Sequence, residues 1–377
     1  MTGVSTLGQS ISQVNRLKTL QTQLDTLSLQ LSTGRKASLF KGLEEDVIRS
    51  QRTRADLNQI SSFQRNIDLG TLRLDLMINS VSEIERQVGL AQDSLNIEVT
   101  QGQIDLSQVK DAASNAFDQI VDLLNEKEGN TFLFAGADTG TQPITAAGAL
   151  ETAINTLLED WQEGDITTEE LISNIQNRTG DDALNDTLVG YSSTLANAKN
   201  VTIRADENAE IDYTVKADED GFRNVLVALA VLKQLPADAN GQIDLADTYD
   251  DDGNIVTNSA IPPEGTTEPE DEIALTELEN EREDNFFELY NAMASLLADG
   301  KSDTFDGRLS LEGAKERIDS INNTLKLEKN ALENLITEIE NVDLNETAVQ
   351  LNSVQLQLEA SYNVTSSVRR LSLVNFI

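Results

Sequence analysis

The triplet Gly300-Lys301-Ser302 matches the end of the loop with which many nucleotide-binding proteins hold phosphate. The complete pattern also requires a glycine five positions before Gly300, where this chain has Ser295, and a strand before the loop. The preceding residues Phe286–Leu297 instead repeat apolar side chains at helical spacing. We therefore interpret the triplet as a glycine cap that ends a helix, followed by a polar turn.

Two acidic segments resemble calcium-binding loops but lack the ligands at the loop ends. In Asp250-Asp251-Asp252-Gly253, counting from the glycine places Thr248 at the first ligand position and Ser259 where a bidentate glutamate is needed. In Asp238-Ala239-Asn240-Gly241, Pro236 takes the first position. Both segments are therefore interpreted as turns in an acidic loop.

Most catalytic chemistry is excluded by composition, because the chain contains no histidine and no cysteine. Histidine-based triads, thiolate nucleophiles, disulfides and Cys/His zinc sites are all impossible. The chain has 65 acidic residues, but no spacing selects one pair as an acid and a base, and no Gly-x-Ser-x-Gly turn occurs. We predict that the protein is not an enzyme and has no catalytic residue, metal ligand or cofactor.

The elements that carry these residues differ strongly in charge. The 377 residues have a formal net charge of −37 at pH 7, from 28 basic and 65 acidic side chains. Residues 1–100 are neutral, with 11 charges of each sign, whereas residues 101–300 carry 42 acidic and 9 basic residues, a net charge of −33. This balance argues against broad contact with nucleic acid or anionic lipid. It also indicates that the ends pack together while the middle faces solvent.

No secretory signal peptide of the usual kind and no membrane span are expected. The first basic residue is Arg16, and the residues before it are mostly small and polar, unlike a secretory signal peptide. The longest apolar run, Val225–Leu232, has eight residues, where a membrane-spanning helix needs about twenty.

Both ends of the chain repeat apolar residues at the period of a coiled coil. One sevenfold series comprises Ile60, Ile67, Leu74, Val81, Val88 and Leu95, and its partner positions hold Phe63, Gly70, Met77, Ile84 and Ala91. A second series comprises Leu311, Ile318, Leu325, Leu332 and Ile339. Shorter stripes nearer the termini comprise Leu17, Leu20, Leu24, Leu27 and Leu31 at one end, and Leu351, Val354 and Leu358 at the other. These patterns predict long helices that pair.

The middle of the chain predicts a mixed structure. Glycines bracket the short apolar run Gly129–Gly136, and Thr167 with Glu170 matches a helix capping box. Further elements are strands at Val201–Ile203 and Ile211–Val215, helices at Ala149–Trp161 and Phe222–Leu235, and a solvated loop over Asp247–Glu272.

The predicted fold is mainly α, with paired N- and C-terminal helices in coiled-coil layers and a smaller α+β outer domain. We divide it into residues 1–45 with 344–377 as an inner coiled-coil core, disordered in the monomer; residues 46–140 with 222–343 as a helical bundle carrying the acidic loop 247–272; and residues 141–221 as the outer domain.

Three segments resemble the bacterial flagellin superfamily. Leu31-Ser32-Thr33-Gly34-Arg35-Lys36 resembles the turn that closes its N-terminal helix. The run from Asn130 to Thr139, followed by Gln142-Pro143-Ile144, is similar to the hook–filament junction branch of that superfamily. The ending Leu358–Thr365 and Leu371–Ile377 is also similar to that branch.

This resemblance implies a structural subunit of the flagellum that joins the hook to the filament. It implies a ring of subunits, with the first hook-associated protein, flagellin and a secretion chaperone as partners, and export through the flagellar type III apparatus without a cleaved signal peptide. The assembly interface would then comprise Leu17, Leu20, Leu24, Leu27, Leu31, Leu351, Val354, Leu358, Leu371, Leu373 and Phe376.

Two alternatives remain open at this point. A filament-forming flagellin would share the same chemistry but have a higher copy number in sheared filaments. An acidic surface module that binds glycans or divalent ions would rest on Asp247–Glu272 and would give heat on titration with calcium.

Overall fold

The computed structural model describes the backbone of residues 3–37, 39, 42–43, 46–95, 99–100, 103–180, 182–237, 242–244, 248–249, 255–256 and 272–374. Side-chain environments are described for these residues except 3–7, 9–10, 99–104, 242–282 and 368–374.

Helices dominate the described chain. In order, the helices are α1 (Gly3–Thr33), α2 (Val47–Asp93), α3 (Ser107–Leu124), α4 (Ala147–Gln162), α5 (Thr168–Gln176), α6 (Asp186–Val189), α7 (Asp220–Gln234), α8 (Glu272–Glu340) and α9 (Leu344–Val374). No helix among the described residues is long and apolar enough to span a membrane.

The strands are short and form four antiparallel sheets. They are β1 (Val99–Thr100), β2 (Gln103–Asp105), β3 (Lys127–Glu128), β4 (Thr131–Phe132), β5 (Thr202–Arg204), β6 (Glu210–Asp212), β7 (Gln242–Asp244), β8 (Thr248–Tyr249) and β9 (Ile255–Val256). Strand β2 lies between β1 and β7, and the others form the hairpins β3–β4, β5–β6 and β8–β9. The mainly α fold with a small β part is confirmed.

The chain forms two compact units. Unit 1 consists of residues 1–64 and 322–377, and unit 2 consists of residues 65–321. The division into three domains, with ends disordered in the monomer, stays a prediction.

In unit 2, the heptad series of α2 forms a buried stripe. Ile67, Leu74, Val81 and Val88 are each at most 1% exposed, and Leu311 and Ile318 of α8 are fully buried. Ion pairs fix the register of the two helices: Arg308 Nε lies 2.8 Å from Glu85 Oε1, and Lys315 Nζ lies 2.5 Å from Asp75 Oδ1. The residue numbers rise along α8 as they fall along α2, so the helices are antiparallel.

From Val225 to Leu232, helix α7 is apolar on every side, as expected of a helix segment that is buried all round. Its residues from Phe222 to Leu232 are buried except for Asn224, and α7 packs against both α3 and α4. The predicted helix Phe222–Leu235 therefore exists, and it ends at Gln234, shortly before Pro236.

A buried arginine ties the irregular segment after α5 to α7. Arg223 is 1% exposed and donates to the carbonyl oxygens of Gln176 (3.2 Å), Asn177 (3.0 Å) and Leu184 (2.7 Å). The carbonyls of Gln176 and Asn177 lie at the end of α5, where a helix leaves acceptors unsatisfied, and that of Leu184 lies directly before Asn185, the N-cap of α6. We name this set the Arg223 clasp.

Local turn chemistry predicted from the sequence is present. The Thr167 backbone N–H donates to Glu170 Oε2 (3.0 Å), and the Glu170 N–H donates to Thr167 Oγ1 (3.2 Å), which completes the capping box at the start of α5. The predicted strands Val201–Ile203 and Ile211–Val215 are present as β5 and β6, with ends shifted by one to three residues.

The predicted acidic loop is described only in part. Inside Asp247–Glu272, strands β8 and β9 pair, and the rest of the loop before α8 lies outside the described residues. Both calcium-like segments, 238–241 and 250–253, also lie outside them.

The predicted helix end at Gly300 is wrong, because α8 continues through Gly300-Lys301-Ser302 to Glu340. The glycine serves a close crossing of two helices rather than a cap. A Cβ at Gly300 would lie 2.9 Å from the carbonyl oxygen of Gly221 and 2.9 Å from the amide nitrogen of Val225, both in α7. A Cβ at Gly221 would in turn lie 2.8 Å from the amide nitrogen of Thr304.

The crossing predicts opposite effects for two alanine substitutions in α8. Gly300→Ala should lower the free energy of unfolding by about 1–2 kcal/mol, because overpacking against backbone, worth about 1–3 kcal/mol, outweighs the gain in helix propensity. Gly313→Ala, with no atom within 4 Å of the new Cβ, should raise it by about 0.5–1 kcal/mol. Urea unfolding of both variants measures the difference, and a stabilised Gly300→Ala protein would contradict the tight crossing.

Candidate assembly surface

The N- and C-terminal helices of unit 1 form an antiparallel pair. Gln21 of α1 donates from Nε2 to the Tyr362 hydroxyl of α9 at 2.8 Å, and Arg35 forms an isolated antiparallel bridge with Asn341. The residue number rises from Gln21 to Arg35, whereas that of the partner falls from Tyr362 to Asn341, so the two terminal segments run in opposite directions. The predicted pairing of the two ends is confirmed.

The structure brings eight of the predicted interface residues onto this helix pair. Leu20 is 7% exposed, and the others are partly exposed: Leu17, Leu24, Leu27 and Leu31 on α1, and Leu351, Val354 and Leu358 on α9. One helix covers only one side of another, so burial stays incomplete. Leu371 and Leu373 belong to α9 but their side chains are not described, and Phe376 lies outside the described residues. Their role in assembly stays a prediction.

Outside the shared stripe, α9 carries apolar residues that face away from α1. Val349 is 69% exposed, Leu356 67% and Val364 55%. Val349 and Leu356 are seven residues apart, which places them on one side of the helix. We name Val349, Leu356 and Val364 the outer stripe. Sequence reasoning missed it, although the spacings of seven residues from Val349 to Leu356 and eight from Leu356 to Val364 could have indicated it.

A groove of about 740 Å³ runs along the helix pair. It is lined by Asn15, Lys18, Thr19, Thr22, Gln23, Thr26, Leu27, Gln350, Ser353 and Val354. Three hydroxyls in it are already bonded within α1: Thr19 donates to Asn15 O (3.0 Å), Thr22 to Lys18 O (3.0 Å) and Thr26 to Thr22 O (2.9 Å). The hydroxyl protons of these threonines therefore need no acceptor outside α1, and only Leu27 and Val354 among the lining residues are apolar.

Both terminal helices connect to the rest of unit 1 through one hydrogen-bonded junction. The Lys36 N–H donates to the Glu340 carbonyl (2.7 Å), and the Val342 N–H donates to the Gly34 carbonyl (3.0 Å). Gly34 has a φ of +69°, which ends α1 in the left-handed conformation that favours glycine. We name residues 34–36 and 340–342 the paired break.

The Glu340 side chain holds the paired break against the start of α2. Its Oε1 accepts from Ser50 Oγ (2.6 Å) and Arg54 Nε (2.8 Å), and its Oε2 accepts from Arg54 Nη2 (2.6 Å). Glu340 is 7% exposed. The hydrogen bonds from Arg54 and then Ser50 lower the pKa of the Glu340 carboxyl, in spite of its burial.

Among the described residues, no group of three or more acidic side chains is placed to hold a metal ion. The polar contacts of unit 1 described above join its helices to one another or lie within α1. The exposed apolar side chains of the outer stripe are what this surface offers to another helix.

The Glu340 contacts predict a loss of stability in acid. A carboxyl whose folded pKa lies below its unfolded value of 4.5 stabilises the fold fully above that value, and the stabilisation is lost as the pH falls through the folded pKa. Glu340→Gln should lower the free energy of unfolding by about 1–2 kcal/mol at neutral pH, since charged hydrogen bonds are lost. The difference from the parent protein should shrink below about pH 4.5. Denaturant unfolding from pH 3 to pH 8 measures it, and a difference that is constant across this range would contradict the role of the charge.

The C-terminal helices of this chain are similar to a known protein family. Residues 303–377 match the family model described as the bacterial flagellin C-terminal helical region, and no curated protein matches the chain. A solved structure from Vibrio parahaemolyticus, assigned as a flagellar hook-associated protein, is 10% identical with a TM-score of 0.43 and covers 78% of this chain and 97% of its own. The crystal structure of FlgL from Bacillus cereus is 13% identical with a TM-score of 0.29 and covers 74% of this chain and 97% of its own. The end of α8 and all of α9 are thus similar to the C-terminal helical region of bacterial flagellin.

Proposed function

We propose that this chain is a structural subunit of the bacterial flagellum that joins the hook to the filament. The observation that carries the proposal is the paired terminal helices, whose C-terminal member lies in the segment similar to flagellin and still exposes an apolar stripe. Exposed apolar stripes on helices are covered when another helix packs on them.

The outer stripe and the groove support assembly through the terminal helices. Fully burying one Leu or Val side chain stabilises a contact by about 1.5–3 kcal/mol. An isolated helix pair has no way to bury Val349 and Leu356, because α1 occupies the other side of α9. Neighbouring subunits supply the missing helices, so we propose that residues 1–45 and 344–377 form the inner core of a ring and become ordered only as subunits join.

The proposed partners follow from this role. The first hook-associated protein would contact the subunit on the hook side and flagellin on the other side, while a secretion chaperone would cover the C-terminal helix before export through the type III apparatus. The subunit would then act outside the cell, in the flagellum, and not as an enzyme.

The proposal predicts the phenotype of a gene deletion. Cells that lack the protein should retain intact hooks but release flagellin into the medium, because filaments no longer attach. Electron microscopy of hooks and immunoblotting of the culture medium measure this. Loss of the hooks themselves, or normal filaments, would contradict a junction role.

A filament-forming flagellin is the second candidate, since the matched family model describes flagellin itself. Quantitative mass spectrometry of sheared filaments separates the two. A junction subunit is present in few copies beside the main filament protein, whereas a flagellin makes up most of the mass.

A substitution on the outer stripe should block assembly without weakening the monomer. Leu356→Asp places a carboxylate where a neighbouring helix packs, and the 67% exposed side chain contributes little to monomer stability. We expect no attached filaments in cells and a melting temperature within about 2 °C of the parent. The control Gln357→Asp adds the same charge at the next exposed position of α9 and should assemble normally. Normal assembly of the Leu356→Asp protein would show that the outer stripe is not buried in the flagellum.

A further inference from the structure

The net charge of the chain belongs to one of its two compact units. Unit 1, residues 1–64 and 322–377, contains 12 basic and 12 acidic side chains and is therefore neutral at pH 7. Unit 2, residues 65–321, contains 16 basic and 53 acidic side chains, which gives a net charge of −37. Even if every basic side chain of unit 2 paired with one carboxylate, 37 carboxylates would remain without a cationic partner.

Burial makes the surface of unit 2 more negative than its net charge alone indicates. Arg73 is 8% exposed and donates from Nη2 to the carbonyl oxygens of Phe132 (2.8 Å) and Leu133 (3.1 Å). Arg223 is buried as well and donates to the carbonyl oxygens of the Arg223 clasp. Among the described side chains of unit 2, Asp218 is the one buried carboxylate, and the others are half-buried or exposed. Two buried positive charges therefore stand against one buried negative charge, and the excess of carboxylates lies at the surface.

Carboxylates repel one another where α7 crosses α8. Burial raises the pKa of the Asp303 carboxyl, and so do the nearby carboxylates of Asp220, Asp299 and Asp306. A Cβ at the glycine in the first turn of α7 would lie 2.9 Å from the Asp303 Cβ, so Asp303 packs directly against that turn. Arg178 Nη1 lies 3.3 Å from Asp220 Oδ1 and offsets part of this one charge. The close packing that joins the two helices thus also brings like charges together.

We propose that the folded form of unit 2 depends on mobile cations of the surrounding medium, whereas that of unit 1 does not. A large net charge destabilises a compact structure through self-repulsion, and cations in solution screen this repulsion. The screening length falls from about 30 Å at 0.01 M salt to about 3 Å at 1 M salt. The proposed cations form a diffuse atmosphere around unit 2, so their concentration matters rather than their identity.

Unit 1 should not share this response to salt. Its charges balance, and its ion pair between Arg54 Nη2 and Glu340 Oε2 (2.6 Å) is attractive. Salt screens attraction as it screens repulsion, and the Arg54 side chain is 42% exposed. Added salt should therefore leave the stability of unit 1 unchanged or lower it slightly. This inference goes beyond the proposed function, because it concerns the free chain and needs no assembly.

Hydrogen exchange of the full-length free chain, followed by mass spectrometry, tests the proposal unit by unit. The reporters are peptides around the buried residues Val81 and Leu229 in unit 2, and around the buried residues Ile60 and Leu325 in unit 1. Between about 0.01 M and about 1 M KCl at neutral pH, exchange in the unit 2 peptides should slow about tenfold or more, because screening stabilises that unit. Exchange in the unit 1 peptides should change by less than about threefold. Equal slowing in both units, or no slowing in unit 2, overturns the proposal.

The identity of the cation provides a second arm of the experiment. Choline chloride at the same concentrations supplies a bulky organic cation with the same charge as K⁺. Because a diffuse atmosphere does not select one ion, choline chloride should slow exchange in unit 2 about as much as KCl does. Slowing by KCl but not by choline chloride would show a selective site and overturn the diffuse mechanism.

Two matched variants test whether the charge of unit 2 is the cause. Each variant replaces one exposed aspartate by asparagine and three exposed glutamates by glutamine. The unit 2 variant carries Asp111→Asn, Glu159→Gln, Glu288→Gln and Glu316→Gln, and the unit 1 control carries Asp56→Asn, Glu328→Gln, Glu333→Gln and Glu338→Gln.

The unit 2 variant should slow exchange around Val81 and Leu229 about threefold in about 0.01 M KCl, because part of the repulsion is removed, and this gain should disappear in about 1 M KCl. The control should not slow exchange around Ile60 and Leu325 at either concentration. A gain of the unit 2 variant that persists at high salt would assign the effect to helix propensity or local contacts and overturn the proposal. An equal gain of the control variant in unit 1 would overturn it as well.

Discussion

The fold depends on burying one apolar stripe along each long helix. An isolated helix is marginal in water, and its stability in a protein comes from the surface that covers its apolar side. The stripe of α2 is buried in unit 2 beside α8, although residues 85 and 308, which bond to each other, are far apart in sequence. Closing so long a loop costs free energy that grows only with the logarithm of its length. The chain between α2 and α8 is therefore an insertion, and its first and last residues must lie close together because α2 and α8 are paired.

Helix α7 shows how that insertion is anchored. It is apolar on all sides, it packs on α3 and α4, and its first turn crosses α8 where Gly221 and Gly300 allow backbone to touch backbone. The Arg223 clasp then fixes the segment after α5 through carbonyl oxygens that would otherwise be buried without donors. Packing and polar bonds thus act on the same helix and anchor the irregular middle region to it.

Much of the fold could be predicted from the sequence because its signals are local or periodic. The heptad series, the capping box at Thr167 and the terminal helices all follow from spacing over a few residues. The helix end predicted at Gly300 failed because a glycine looks the same in a cap and in a close crossing, and the contact with Gly221 is set by residues far away in sequence. Gly70 is a similar case: it interrupts the heptad series because Ile203 fills the space beside it.

Only the part of the candidate assembly surface that α1 and α9 share could be predicted from the sequence. The stripe that α1 and α9 share follows from leucine spacing, but the groove depends on how the two helices lie together. The bonds from Ser50 and Arg54 to Glu340 join residues almost 300 positions apart, and no single-sequence pattern reports them. A groove of about 620 Å³ in unit 2 is equally invisible in the sequence, because its lining comes from α2 and the hairpins β3–β4 and β5–β6.

The pairing of α1 with α9 also has a consequence for the order of synthesis. Helix α1 ends at Thr33, whereas α9, which packs on its apolar stripe, begins only at Leu344. At roughly 5–20 residues per second, a ribosome needs about 15–60 s to make the chain between them. During that interval, the leucines of α1 on every nascent chain lack their partner helix and are exposed to other nascent chains. The order of the elements along the gene therefore sets the shortest time for which the apolar stripe of α1 stays without its partner helix.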